Sequence, residues 1–219
     1  MTRNIAQLGQ VFTPPKVVNF MLDLCQNKGR VLEPSVGDGA FFSVLLERQA
    51  DCVGVEIDPA VAPDGSQLGD FFDYPLSEQF DTIIGNPPYV RFQDVTVNTK
   101  KRLKSELFDA RSNLFLFFIE KCIRHLKPGG ELVFIVPREF IKLTAAKKLN
   151  AWLFEQGSIT HFYETGDVRV FQGATPNCCI FRFEKGRKDR RMADGRRFVE
   201  ANGQLMFLRD DHSVRFADV

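Results

Sequence analysis

The stretch Arg30-Val31-Leu32-Glu33-Pro34-Ser35-Val36-Gly37-Asp38-Gly39-Ala40-Phe41-Phe42 decides the fold of this chain. Its first five residues predict a short buried strand, residues 35–39 a glycine-rich turn, and residues 40–48 a helix. Glycines just after a first strand let a ligand approach the backbone, and open α/β sheets bind ligands at the carboxyl ends of their strands. A dinucleotide site would want a third small residue for close helix packing at a pyrophosphate. Phe42 stands at that place and an acid, Asp38, sits in the loop. Both argue against a pyrophosphate and for a nucleoside with an uncharged or zwitterionic tail.

The same alternation extends in both directions. Upstream, Thr13-Pro14-Pro15 starts a helix, because prolines in the first turn cost no hydrogen bond. Val17, Val18, Met21, Leu22 and Leu24 give that helix an apolar face that ends by Gly29. Downstream, Cys52-Val53-Gly54-Val55-Glu56-Ile57 is a second strand, and a third ends near Asp70. A fourth strand, Asp81-Thr82-Ile83-Ile84-Gly85, runs into Asn86-Pro87-Pro88-Tyr89. Residues 90–111 are polar and basic without a strong period, and a connection of that length points to function. Residues 113–126 are helical, 132–136 a strand and 145–154 a helix, with two last strands near 160–164 and 177–183. Strands alternating with helices predict an α/β fold, a mostly parallel sheet covered on both faces.

Composition sets outer bounds. The chain has 219 residues, 44% hydrophobic and 26% charged, an ordinary profile for one sizeable domain. No apolar run approaches a membrane span and the first residues lack a secretion signal, so a cytoplasmic, non-membrane protein is expected. Five cysteines and three histidines show no metal-ligand spacing, and no metal is expected. The net charge of +1 gives no global attraction to nucleic acid. Local clusters stand out instead: Lys100, Lys101, Arg102 and Lys104, and eight Lys/Arg against three Asp/Glu between Arg182 and Arg197. Each cluster suits phosphate contacts or a plain solvated face. The expected organisation is a catalytic domain over residues 1–185, a basic linker over 186–197, and at 198–219 the start of a truncated or missing second domain.

The chemistry concentrates at strand ends. Glu56 is placed to bind two ribose hydroxyls, Ile57 to cover an adenine face, and Asp70, beside Phe71, to accept from an adenine amino group. In Asn86-Pro87-Pro88-Tyr89 the amide and a proline-fixed carbonyl can grip an amino group while the ring stacks on the planar molecule that carries it. His125 and His161 lie away from every motif.

Together these segments resemble the gamma class of S-adenosylmethionine-dependent DNA adenine-N6 methyltransferases of restriction–modification systems. The likeness runs from Gly9-Gln10-Val11-Phe12-Thr13-Pro14-Pro15 through the turn at Glu33, Gly54-Val55-Glu56-Ile57-Asp58-Pro59, Gly69-Asp70-Phe71-Phe72 and Asn86-Pro87-Pro88-Tyr89 to Lys127-Pro128-Gly129-Gly130 and Val170-Phe171. It implies a class I methyltransferase, Rossmann-like, with a seven-stranded sheet and an antiparallel final hairpin. By position, Thr13, Glu33, Ser35 and Gly37 would hold the methionine end of S-adenosylmethionine. Glu56, Ile57, Asp70 and Phe71 would hold its nucleoside, with Asn86 and Pro88 beside it. Asn86, Pro87, Pro88, Tyr89 and Phe171 would serve catalysis on an adenine flipped out of double-stranded DNA. Relatives of this kind normally carry a large C-terminal target-recognition domain. Two alternatives stay open: a methyltransferase of RNA or of a protein glutamine, and a non-catalytic cofactor-binding fragment that needs a partner domain.

Overall fold

A computed structural model describes residues 13–109, 111–165 and 177–209. Seven strands form one sheet: β1 (Val31–Glu33), β2 (Cys52–Glu56), β3 (Gln67–Leu68), β4 (Phe80–Gly85), β5 (Leu126–Pro137), β6 (Gly157–Glu164) and β7 (Cys178–Lys185). Their spatial order is β3-β2-β1-β4-β5-β7-β6. The pairings along β3-β2-β1-β4-β5 are parallel, whereas β7 runs antiparallel to both β5 and β6. The expected seven-stranded class I arrangement with its antiparallel final hairpin is therefore present.

Alternation along the strands sorts the core onto two faces. Val31, Ile84, Val133 and Ile135 pack with α1 (Pro15–Leu24) and with Leu45 of α2 (Phe42–Glu47). Leu32, Ile83, Leu132 and Phe134 pack on the other side with α4 (Leu114–His125) and α5 (Lys147–Gln156). Between β1 and β2 the close approach is made by Gly54: a Cβ there would stand 2.7 Å from Val36 and 2.8 Å from the Phe42 ring. The room that a dinucleotide site creates with a small residue on the helix is created here by a glycine on the strand.

The connection at residues 90–111 is more structured than its weak periodicity suggests. It carries a 3-10 turn (Phe92–Asp94) and a short helix, α3 (Val97–Lys100), and it buries Val90, Val95, Leu103 and Phe108.

The region after β7 differs from a free linker followed by a separate domain. Arg190 donates to the carbonyls of Gly157 and, at 2.7 Å, Phe154, and Arg196 donates to Phe162 O at 2.9 Å. The hairpin of β8 (Arg197–Ala201) and β9 (Gln204–Leu208) then buries Phe198 and Leu205 in the α4/α5 core. Phe207 stacks on Phe162 with ring centroids 4.1 Å apart. Asn150 of α5 donates to Gly203 O at the hairpin turn and to Phe140 O, both at 3.0 Å. Two or three apolar side chains cannot close a core alone, so these dock on the surface that α5 and β6 already offer. Residues 186–209 are thus held by the domain expected to end at residue 185.

Candidate active site

The carboxyl ends of β1, β2 and β4 open into one cleft of about 940 Å³, counting its solvent-open mouth. The turn after β1 is shaped for it. Gly37 adopts φ +59°, a left-handed conformation that favours glycine. Its N–H donates to Glu56 Oε2 at 2.7 Å, and Asp58 N–H donates to the other oxygen at 2.9 Å. Glu56 thereby ties the turn to the end of β2, and each carboxylate oxygen retains a second lone pair for a ligand hydroxyl. Ile57, 43% exposed, forms an apolar side of the same cleft.

Three distant segments meet at Asn86. Its Nδ2 donates to Thr13 Oγ1 at 3.2 Å, and Ser35 Oγ donates to its main-chain carbonyl at 3.3 Å. Thr13, Glu33, Ser35, Gly37, Glu56, Ile57, Asp70, Asn86 and Pro88 all line the cleft.

The others fall elsewhere. Phe71 is buried in the core, stacked on Phe118 at 5.2 Å, and Phe72 is the ring that lines the cleft. The cause is the 3-10 turn Phe71–Asp73, capped by Asp70, which turns the first ring inward and the second outward. Pro87 is buried and is not one of the residues that line the cleft. Tyr89 is half-buried, with its hydroxyl donating to Ile135 O at 2.9 Å and its ring edge-on to Phe115. Burial pushes its phenol well above the ordinary value, so it stays a neutral donor. Phe171 lies outside the described residues. Neither His125 nor His161 lines the cleft; His125 is packed among Phe71, Tyr74 and Phe80 with Nδ1 on Glu78 O. Sequence reasoning missed Phe72 and also Val95, Thr96 and Thr99, which line the cleft from the 90–111 connection.

The electrostatics of the cleft define what it takes. Glu33, Asp38, Glu56 and Asp70 line it, and among the described residues no Lys or Arg does. Glu33 is 1% exposed and its Oε2 has no hydrogen-bond partner among the described residues. Burial, reinforced by Glu56 and Asp38, raises its pKa well above the usual carboxylate range. A site like this repels phosphates and attracts a cationic group with N–H donors. S-adenosylmethionine fits: an ammonium for Glu33, ribose hydroxyls for Glu56, an adenine edge for Asp70 and a sulfonium within the acidic field. Among the described residues, no group of three or more His, Cys, Asp or Glu is placed to hold a metal ion, and no helix is long and apolar enough to cross a membrane.

Residues 61–171, which span the third strand, the Asn86 motif and β5, match the Eco57I restriction-modification methylase family. The chain belongs to that family. Among its curated relatives, the Type II methyltransferase M.HincII of Haemophilus influenzae is 35% identical over 189 residues, covering 82% of this chain and 38% of the relative. M.TthHB8I of Thermus thermophilus is 35% identical over 218 residues, covering 91% of this chain and 50% of the relative. The chain thus spans half or less of the length of these two proteins. Solved structures share the fold at lower identity. A putative class I S-adenosylmethionine-dependent methyltransferase of Listeria monocytogenes has a TM-score of 0.62 at 20% identity, covering 81% of this chain and 62% of that one. The M protein of the Type I restriction enzyme EcoKI has 0.63 at 15% identity, covering 90% and 46%. The fold is that of the class I methyltransferases.

Proposed function

We propose that this Eco57I-family domain transfers a methyl group from S-adenosylmethionine to the N6 amino group of an adenine flipped out of duplex DNA, as the modification activity of a restriction–modification system. One observation carries the proposal: Asn86, at the end of β4, opens into the same acidic cleft that suits the cofactor. Donor and acceptor sites are then contiguous, as direct transfer requires.

The cofactor supplies an electrophilic sulfonium methyl. This chain's residues do the rest. Glu33 receives the ammonium and Glu56 the ribose, fixing the methyl's direction. Asn86 Oδ1 and the Pro87 carbonyl accept the two N6 hydrogens of the target adenine. An adenine amino nitrogen is a poor nucleophile because its lone pair is delocalised into the ring. Two acceptors around it favour the pyramidal form in which charge develops, and the fixed φ of the prolines holds those acceptors still. The amino nitrogen held in this way would take up the methyl group that the cofactor supplies, and one N6 proton would leave to water. Neither histidine of the described residues is needed.

Base flipping costs a few kcal/mol. Stacking of the extruded base on Tyr89, and on Phe171 from a second side, would return roughly 1–3 kcal/mol for each contact. The anchor on Ile135 O fixes the Tyr89 ring for that role.

The test is transfer of a tritiated methyl group by the intact protein offered DNA, RNA and protein, followed by nucleoside analysis. Label in N6-methyladenine from DNA is expected. Label confined to RNA or to protein glutamine would overturn the proposal.

A further inference from the structure

Thr99 stands in the connection that follows Asn86-Pro87-Pro88-Tyr89, yet it is 5% exposed and lines the cleft beside Asp70 and Phe72. Its hydroxyl donates to Asp70 Oδ2 at 2.8 Å. The Thr96 hydroxyl in turn donates to Thr99 Oγ1 at 3.1 Å, and Thr99 N–H donates to Thr96 Oγ1 at 3.2 Å. These directions are fixed by chemistry. A carboxylate oxygen only accepts, so Thr99 must spend its one proton on Asp70 and receive from Thr96. The other Asp70 oxygen accepts from Phe72 N–H at 3.0 Å. Asp70 is therefore held from two sides, by its own turn and by the wall across the cleft. The wall needs Asp70 equally, because a four-residue helix has no stability of its own. Arg102 fastens the far end through Asp73 at 2.6 Å.

We propose that Thr99 is a positioning residue for the cofactor's nucleobase. It sets the Asp70 carboxylate so that a remaining lone pair meets the 6-amino group of an adenine. This rests on the cleft being the S-adenosylmethionine site. A 6-amino purine donates to the carboxylate so placed, whereas a 6-oxo purine turns its own lone pairs on it. Thr99 thus contributes to selectivity for adenine over hypoxanthine in the cofactor, and does more than fill space in the wall.

Calorimetric titration with S-adenosylhomocysteine and S-inosylhomocysteine separates these roles. The unaltered chain should bind the adenosyl ligand at least about tenfold more tightly, the worth of one charge-assisted hydrogen bond. Thr99→Val should bring that ratio towards one, chiefly by weakening the adenosyl ligand, and Thr99→Ser should restore it. Parallel loss of both ligands in Thr99→Val, or an unchanged ratio, overturns the proposal. If Thr99→Val fails to fold, Thr96→Ala removes the donor to Thr99 and should lower the ratio by a smaller factor; an unchanged ratio there is equally contrary. Failure of the unaltered chain to bind either ligand would instead sink the assignment of the cleft itself.

Discussion

Glu33 and Glu131 are buried glutamates of one sheet, 1% and 0% exposed, with opposite surroundings. Glu131, on β5, is saturated by the protein. Its Oε1 accepts from Gln26 N and Asn27 N at 2.8 Å and from Thr82 Oγ1 at 2.9 Å, and its Oε2 accepts from Arg182 Nε at 2.6 Å. Arg182, itself buried, also donates to Thr160 Oγ1. The cluster joins the chain just past α1 to β4, β5, β6 and β7. Glu33, at the end of β1, has a backbone hydrogen bond from Phe42 and the acids Glu56 and Asp38 nearby, and its Oε2 has no partner among the described residues. A buried charge that the protein satisfies is framework, and one that it leaves unsatisfied marks a place for a ligand.

Substitutions should divide along this line. Glu131→Ala strands the Arg182 guanidinium in the core and should cost about 3–5 kcal/mol, read as a large fall in the denaturation midpoint. A shift under about 1 kcal/mol would remove Glu131 from the framework. Asn86→Ala should leave the fold and, within a few fold, cofactor affinity intact. In the whole protein it should lower methyl transfer by about a hundredfold or more; full activity would reject the role given to its amide. Thermal melts against pH should show the smallest effect. Glu33 holds its proton more tightly folded than unfolded, so the ligand-free folded chain binds more protons between its unfolded and folded values. Stability from this group is present below the unfolded value and falls as pH rises through the raised one. Glu33→Gln should flatten that slope. A slope of opposite sign, lost in the same variant, would contradict the raised pKa.

Much of the cleft was legible in sequence because its parts are local. A glycine turn after a strand, an acid at the next strand end and Asn86-Pro87-Pro88-Tyr89 each carry their signal within a few residues. What stayed hidden depends on distance or on one bond angle of chain direction. Whether Phe71 or Phe72 reaches the cleft turns on a single 3-10 step. The Glu131–Arg182 pair joins positions 51 residues apart, and Thr99 reaches Asp70 from 29 residues away. Residues 186–197 read as a linker in sequence because their charges are dense. Arg190 and Arg196 use that charge to bind carbonyls of β6 and its preceding helix.

The most direct test is calorimetry of S-adenosylmethionine binding in buffers of different ionisation enthalpy, with the unaltered chain and with Glu33→Gln. Binding should release a proton at pH values where the ligand-free Glu33 is protonated, because the ammonium takes that proton's place. Glu33→Gln should bind about tenfold or more weakly, release no proton, and melt no lower than the unaltered chain. Equal affinity in the two proteins, or the same proton count in both, would contradict the claim that Glu33 is left unsatisfied for a cationic ligand.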